Sequence, residues 1–323
     1  MEKVFVTGSM GFLGSEIVRQ MQLAGYSCVP SDHPAKIPPE RWDVIGFDIL
    51  DPDQIRGRLQ GCSVVIHAAG LAHVFDTQKA KEAPFKAINV DGTLNVAREA
   101  LHAGVKHFVF ISSVSVYGAK SSSFRNEASP CHPVTEYAKS KYEAEIRLKE
   151  LAQNSPMRVT ILRLATLYGK GDPGNVARLV RTILDGKFIW IGKGKNMKSL
   201  IHVADAARAC IFSIERPGNQ IEVFNVSDMP RKMCDIVSII HKTAGRQMPR
   251  WHISSRLCRV GGRWLEKFLS HIGGCRKNFL TTLEKWMADD SYDNSLFMKN
   301  SSFCCSVPFE RGISEEINDL CEK

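Results

Sequence analysis

Val4-Phe5-Val6-Thr7-Gly8-Ser9-Met10-Gly11-Phe12-Leu13-Gly14 decides the reading of this chain. A short apolar run leads into three glycines spaced three apart, and Leu13, Ile17, Val18 and Met21 then recur at helical spacing. A strand, a tight turn and a helix start therefore follow one another. Gly8 supplies a backbone conformation closed to residues with a Cβ, Gly11 lets a pyrophosphate approach the main chain, and Gly14 lets the helix pack close to the strand. The unpaired N–H groups at the helix start, around Phe12 and Leu13, and the positive end of the helix dipole then face the phosphates. A glycine triplet alone also occurs in ordinary turns, so its meaning depends on what surrounds it.

Working outward, Gly25 closes the first helix and Tyr26–Pro30 reads as a second strand. Asp32 follows, 18 residues beyond Gly14. A carboxylate there accepts hydrogen bonds from an adenosine ribose and repels a 2′-phosphate, which favours NAD over NADP, although His33 and Lys36 stand close by. The alternative is a loop acid ahead of Pro34. Residues 44–48 read as a third strand, with Asp48 and Ile49 near the adenine edge, and Asp51-Pro52 starts a helix through Leu59. Residues 63–67 form an apolar fourth strand ending in Ala68-Ala69-Gly70, small enough for the backbone to pass close to a cofactor. His67 and His73 have no metal partners at useful spacing and read as structural or loop histidines. Phe108–Ile111 is the fifth strand, and Ser112 to Gly118 put hydroxyls at its carboxyl end. Strands alternating with helices imply right-handed crossovers and a doubly wound parallel α/β sheet of Rossmann type, with ligands at the carboxyl ends of the strands.

Tyr137 and Lys141 lie four apart on a helix that starts after Thr135 and share one face. A free tyrosine, with a pKa of about 10, is no base at neutral pH. A lysine ammonium and an oxidised nicotinamide would both favour its phenolate, and Ser113 can hold the substrate oxygen on which charge develops. Ser113, Tyr137 and Lys141 are thus the candidate catalytic set.

Residues 7–14, 67–70, 89–93, 112–118 and 137–141 together resemble the extended short-chain dehydrogenase/reductase family, more narrowly its NAD-dependent epimerase/dehydratase branch acting on nucleotide sugars. Leu162-Arg163, Tyr168-Gly169, residues 201–205 and Phe224-Asn225-Val226 extend the resemblance over most of the chain. It implies an NAD-binding Rossmann domain in 1–164, with 200–230 returning to it, and a smaller substrate lobe in 165–199 and 231–323. Cofactor contacts are implied at Gly8, Gly11, Phe12, Leu13, Gly14, Asp32, Asp48, Ile49, Ala68, Ala69, Gly70, Asn89, Tyr137 and Lys141. Substrate contacts are implied at Ser113, Ser115, Thr166 and, for the diphosphate, Lys198, whose alternative is a loop charge. The resemblance also suggests a homodimer through a helical interface.

Within that family, sugar 4,6-dehydratases carry Asp and Glu where this chain has Val114 and Ser115, and valine transfers no proton. UDP-galactose 4-epimerases match better, but they have a lysine at the position of Ala72 and an asparagine at that of Thr166. The leading expectation is an NAD-dependent nucleotide-sugar 4-epimerase working through a 4-keto intermediate. The alternatives are an NAD(P)H-dependent 4-keto-sugar nucleotide reductase, a hydroxysteroid-dehydrogenase-like oxidoreductase, or a dinucleotide-sensing regulatory protein that has lost catalysis.

The 323 residues are 44% hydrophobic, ample for a core, and no apolar run approaches the roughly 20 residues of a membrane helix. A cytoplasmic protein is expected. Ten cysteines form no C-x-x-C pair, so no metal site is expected and most read as buried thiols. Between Arg231 and Lys285 stand twelve Lys or Arg against three acids, which accounts for the whole net charge of +9. The segment reads as a solvated basic face, a site for a phosphate-bearing substrate, or a weak membrane-surface contact through Arg263, Trp264, Leu265, Lys267, Phe268 and Leu269. No nucleic-acid-binding motif accompanies it.

Overall fold

The computed structural model describes residues 2–72, 84–118, 124–249, 252–254, 258 and 287–322. At its centre β1 (Lys3–Thr7), β2 (Ser27–Asp32), β3 (Ile45–Gly46), β4 (Val64–His67), β5 (His107–Ser113), β6 (Arg158–Leu164) and β7 (Ile221–Val226) form one parallel sheet. Their order is β7-β6-β5-β4-β1-β2-β3. The chain runs outward in both directions from the β1–β4 pair, which opens a crevice at the carboxyl ends of those two strands.

Both faces of the sheet are covered, which explains the continuous apolar runs. Helix α1 (Phe12–Leu23) lies on one face; α2 (Pro52–Ile55), α3 (Thr93–His102) and α4 (Glu136–Gln153) lie on the other. Val4 and Val6 pack with Ile17, Val18 and Met21 of α1, whereas Phe5 packs with Phe108, Phe110, Ala144 and Leu148. Each such side chain contributes about 1.5–3 kcal/mol by leaving water, so a one-residue slip of β1 would send three of them to the wrong layer.

After α5 (Asn175–Leu184), Leu200–His202 pairs with Thr166–Tyr168 outside the main sheet. Helix α6 (Val203–Glu215) then lies on the α1 face, where Ala206, Ala207 and Cys210 join the core. A third apolar cluster unites α5, α7 (Met233–Thr243) and, beyond α8 (Ser295–Ser301), α9 (Phe309–Glu322) through Val180, Ile183, Val237, Ile240, Phe309 and Ile313. Among the described residues no helix is long and apolar enough to cross a membrane.

Two local expectations need correction. The third strand is two residues, not five. Asp51 does cap α2, accepting from the N–H groups of Asp53 and Gln54 at 3.0 and 3.4 Å. The helix nevertheless stops at Ile55 instead of reaching Leu59, because Gly57 turns to a φ of 77° and donates its N–H to the Glu99 carboxylate at 2.7 Å. Further on, Trp190–Ile191 pairs with His252–Ile253, while the Phe188 ring packs on Trp190 and His241. The cysteines also differ from expectation: all nine described ones are free thiols, but only Cys62, Cys210 and Cys258 are buried.

Candidate active site

The glycine turn leaves β1 beneath the crevice. Gly8 has a φ of 70°, and a Cβ there would stand 2.7 Å from the Ala69 nitrogen. A Cβ on Gly14 would lie 1.9 Å from the Gly8 carbonyl oxygen, so α1 touches the turn directly. Gly11 is different: its Cβ would meet only the Gly8 oxygen, at 3.2 Å, and otherwise open space. The glycine with room above it is therefore the one assigned to pyrophosphate approach. Phe12 and Leu13 open α1, whose N-cap Gly11 brings no side chain to its free N–H groups, and the Ser9 hydroxyl is buried with no hydrogen-bond partner among the described residues. These features fit a bound dinucleotide, whose phosphates would meet open N–H donors at the positive end of the helix.

Asp32 closes β2 and is buried beside the turn. Its Oδ2 accepts the Met10 N–H and its Oδ1 the His33 N–H, both at 2.8 Å, with Lys36 Nζ 3.9 Å away. The carboxylate both fixes the glycine turn and retains lone pairs for further donors. Asp48 accepts the Leu50 N–H at 2.9 Å and lies 4.0 Å from His33. Ile49 packs where a Cβ on Gly92 would stand, and its carbonyl accepts from Asn95.

Ala68, Ala69 and Gly70 continue β4 into the crevice. Asn89 sits in a π-helical turn, Ala87–Gly92, ahead of α3. Its Oδ1 accepts the Leu71 N–H at 2.7 Å and its Nδ2 donates to Leu71 O at 3.0 Å and Ser140 Oγ at 2.9 Å, tying the β4 loop to α4. A Cβ on Gly70 would lie 3.0 Å from Asn89 Oδ1 and 3.2 Å from Lys141 Nζ. His67 is structural: fully buried, it bonds Thr7 at 2.8 Å and Thr93 at 3.0 Å, and burial pushes its pKa down to about 3. His73 lies outside the described residues.

Ser113 ends β5 opposite Leu164, and its Oγ accepts the Ser115 N–H at 3.2 Å. The hydroxyl of Thr135 caps α4, accepting from Ala138, and Tyr137 and Lys141 point from its first turns toward β5. Burial holds the Tyr137 phenol above the usual tyrosine value, and a hydrogen bond with Ser113 acts the other way. The lowering expected from Lys141 therefore does not prevail in the protein alone. The reason is visible: Lys141 Nζ donates to the Ile111 carbonyl at 2.9 Å over the Phe110 ring, and burial draws its own pKa to about 8. Tyr137 is half-buried, its ring edge-on to Phe85.

One turn beyond Lys141, fully buried Glu145 begins a chain of contacts that sequence reasoning passed over. It receives Ser112 Oγ at 2.5 Å and the guanidinium of Arg163 at 2.6 Å. Burial works against the Arg163 charge, but bonding to Glu145 outweighs it and raises the pKa. Arg163 also donates to Tyr117 Oη at 2.9 Å, which donates to Asn225 Oδ1 at 2.7 Å. Asn225 Nδ2 reaches the carbonyls of Arg125 and Asp293, at 3.2 and 3.1 Å. The available signal was a carboxylate in the buried stripe of α4 with Ala138, Lys141 and Leu148.

Thr166 lies two residues past the end of β6, near the Ser113 edge, and Ser115 Oγ is buried with no hydrogen-bond partner among the described residues. Lys198 pairs through its backbone with Arg231; burial lowers its pKa while Asp290 and Asp289 raise it. Its charge therefore faces two carboxylates, and nothing in the fold itself distinguishes the diphosphate contact from the loop charge. The residues proposed for membrane contact, 263–269, lie outside the described ones.

Residues 4–227 match the NAD dependent epimerase/dehydratase family. The chain belongs to that family. It is an NAD-dependent enzyme, and the glycine turn, Asp32 and the β4 loop are the parts of this family member that fit the cofactor. A UDP-glucose 4-epimerase of Vibrio cholerae is 32% identical over 235 residues, 70% of this chain and 71% of that protein. An N-acetyl-alpha-D-glucosaminyl-diphospho-ditrans,octacis-undecaprenol 4-epimerase of Escherichia coli O157:H7 is 27% identical over 98% of this chain and 94% of its own length. The UDP-glucose 4-epimerase of Thermotoga maritima, solved with UDP-glucose, superposes with a TM-score of 0.78 over 99% of each chain at 22% identity, a likeness of fold.

Proposed function

We propose that this enzyme is a 4-epimerase of diphosphate-linked hexoses, with UDP-hexoses as the leading substrate class. The observation that carries the reading is the meeting of Ser113, Tyr137 and Lys141 at the end of β5, followed by the buried apolar Val114 in place of a proton-transferring acid. Tyr137 takes the proton of the sugar 4-hydroxyl, Ser113 steadies that oxygen, and Lys141 holds the ribose as an ammonium. Bound NAD would supply reversible hydride exchange with C4. The 4-keto sugar then turns, and Tyr137 returns the proton to the other epimer. Ser115, Thr166 and Lys198 are assigned to the substrate, in a lobe formed by 165–199 and 231–323 beside a cofactor domain of 1–164 and 200–230. A homodimer through the outer faces of α3 and α4, which carry Leu94, Leu101 and Leu151 in one groove, belongs to the same proposal, and sedimentation tests it.

Purified protein with NAD and a panel of UDP- and TDP-hexoses tests the reaction, with absorbance at 340 nm followed while the sugars are chromatographed. A new epimer with no lasting absorbance change supports the epimerase. Stoichiometric NADH oxidation on a 4-keto sugar, with no epimer, replaces it by a reductase. A lipid-diphosphate-linked sugar is the second reading, favoured by the relative that spans nearly the whole chain. Polyprenyl-diphosphate-linked N-acetylhexosamine in the same panel distinguishes the two.

A further inference from the structure

We propose that Glu145 is a positioning residue that keeps Lys141 charged and aimed into the site, with Ser112 and Arg163 fixing its carboxylate. This deepens the acid–base reading of Tyr137 and Lys141 and rests on it. Glu145 stands four residues after Lys141 on α4, so the two side chains share the buried face of the helix. Its carboxylate is bound on both sides: Ser112 Oγ donates to Oε1 at 2.5 Å, and Arg163 donates Nε to Oε1 and Nε and Nη2 to Oε2, at 3.1, 3.2 and 2.6 Å. Ser112 immediately precedes Ser113, and Arg163 is its sheet partner on β6. The contacts therefore lock α4 to the two strands that carry the edge of the site.

A buried ammonium is costly unless an opposite charge lies close. Lys141 is almost fully buried, and among the described residues its Nζ has one neutral acceptor, the Ile111 carbonyl. Among the described residues the charged and titratable groups around it are few. On α4 they are Tyr137 and Glu145; from β4 comes His67, which is neutral; from β6 comes Arg163, bound to Glu145. Burial draws down the Lys141 pKa, and Glu145 is the charge that opposes it. Arg163 prevents Glu145 from standing as an unpaired buried anion, and its rigid fork keeps the carboxylate from swinging away.

The test uses the pH dependence of NAD binding, read by fluorescence titration between pH 6 and 9, beside turnover. In the wild type the affinity falls as pH rises through the Lys141 midpoint. In Glu145→Gln that midpoint moves down by about one pH unit or more, so that NAD binding weakens by up to roughly tenfold above the wild-type midpoint and by about twofold at pH 7. Lys141→Met separates the two levels of the argument. If it removes the pH dependence and turnover while Glu145→Gln leaves the midpoint in place, the positioning role is overturned and the acid–base reading stands. If Lys141→Met alters neither binding nor turnover, the acid–base reading itself fails. Because Glu145→Gln strands the Arg163 charge, Glu145→Gln/Arg163→Gln is made alongside. The double variant removes both charges and still lowers the midpoint; an unchanged midpoint in a folded double variant also overturns the proposal.

Discussion

Gly14→Ala and Gly11→Ala, two substitutions three residues apart, should fail in different ways. At Gly14 the new methyl would sit 1.9 Å from the Gly8 oxygen and 2.6 Å from its carbonyl carbon. An uncrowded contact is about 3.5 Å, so the turn and helix must separate by roughly 1.5 Å. Both partners are backbone, and Gly8 is itself pressed against Ala69, which leaves little room for relaxation. Overpacking of this kind costs about 1–3 kcal/mol, and the upper end applies here. At about 2–4 °C per kcal/mol, Tm should drop by roughly 6–12 °C. Gly11 has a φ of −80°, open to any residue, and its methyl would meet one atom at 3.2 Å. The fold should change by less than about 1 kcal/mol. The methyl would, however, occupy the space assigned to the pyrophosphate and weaken NAD binding tenfold or more, about 1.4 kcal/mol. Thermal denaturation without cofactor and fluorescence titration with NAD read the two effects separately. A Gly14→Ala protein as stable as wild type, or a Gly11→Ala protein that binds NAD normally, would refute the division of labour within the turn.

Tyr137→Phe should keep NAD binding and lower turnover by about 10²–10⁴-fold, the range for loss of a positioned acid or base; unchanged biological activity would instead favour a sensor. Asp32→Ala should raise the ratio of NADP to NAD affinity by removing a buried negative charge, and should loosen the glycine turn by about 1 kcal/mol as the Met10 N–H loses its acceptor; competition binding and urea unfolding measure the two. His67 and His107 both titrate near 3 in the folded chain, because burial disfavours their charged forms. The unfolded chain therefore binds more protons between about pH 6.5 and 3, and stability must fall as pH falls through that window, by up to about 1.4 kcal/mol per pH unit for each histidine. Urea midpoints at pH 6.5 and 5 check the sign, and His67→Gln should make the slope shallower.

Much of the architecture is legible because it is written in local patterns. Alternation along β1, the glycine spacing after it and the apolar stripe of α1 each confine the backbone over a few residues, and together they predict the turn that the structure forms. Tyr137 and Lys141 are legible as neighbours because the helical period alone puts them on one face. Where local patterns mislead, a distant group intervenes. The helix after Asp51 reads well to Leu59, yet Glu99 of α3 captures the Gly57 N–H and ends it. Lys141 reads as a charge that lowers the Tyr137 pKa, yet the Ile111 carbonyl and Phe110 ring receive its ammonium while burial weakens it.

The sequence by itself determined the doubly wound parallel class, the position of the glycine turn and the helical pairing of tyrosine and lysine, since each follows from steric limits and periodicities within one or two neighbouring elements. The tertiary structure alone decided which charges neutralise one another. Glu145 finds Arg163 on another element, and Tyr117 finds Asn225 108 positions further along the chain. Those partners are set by strand order and register, which juxtapose β5, β6 and β7, and no periodicity within a single segment encodes them.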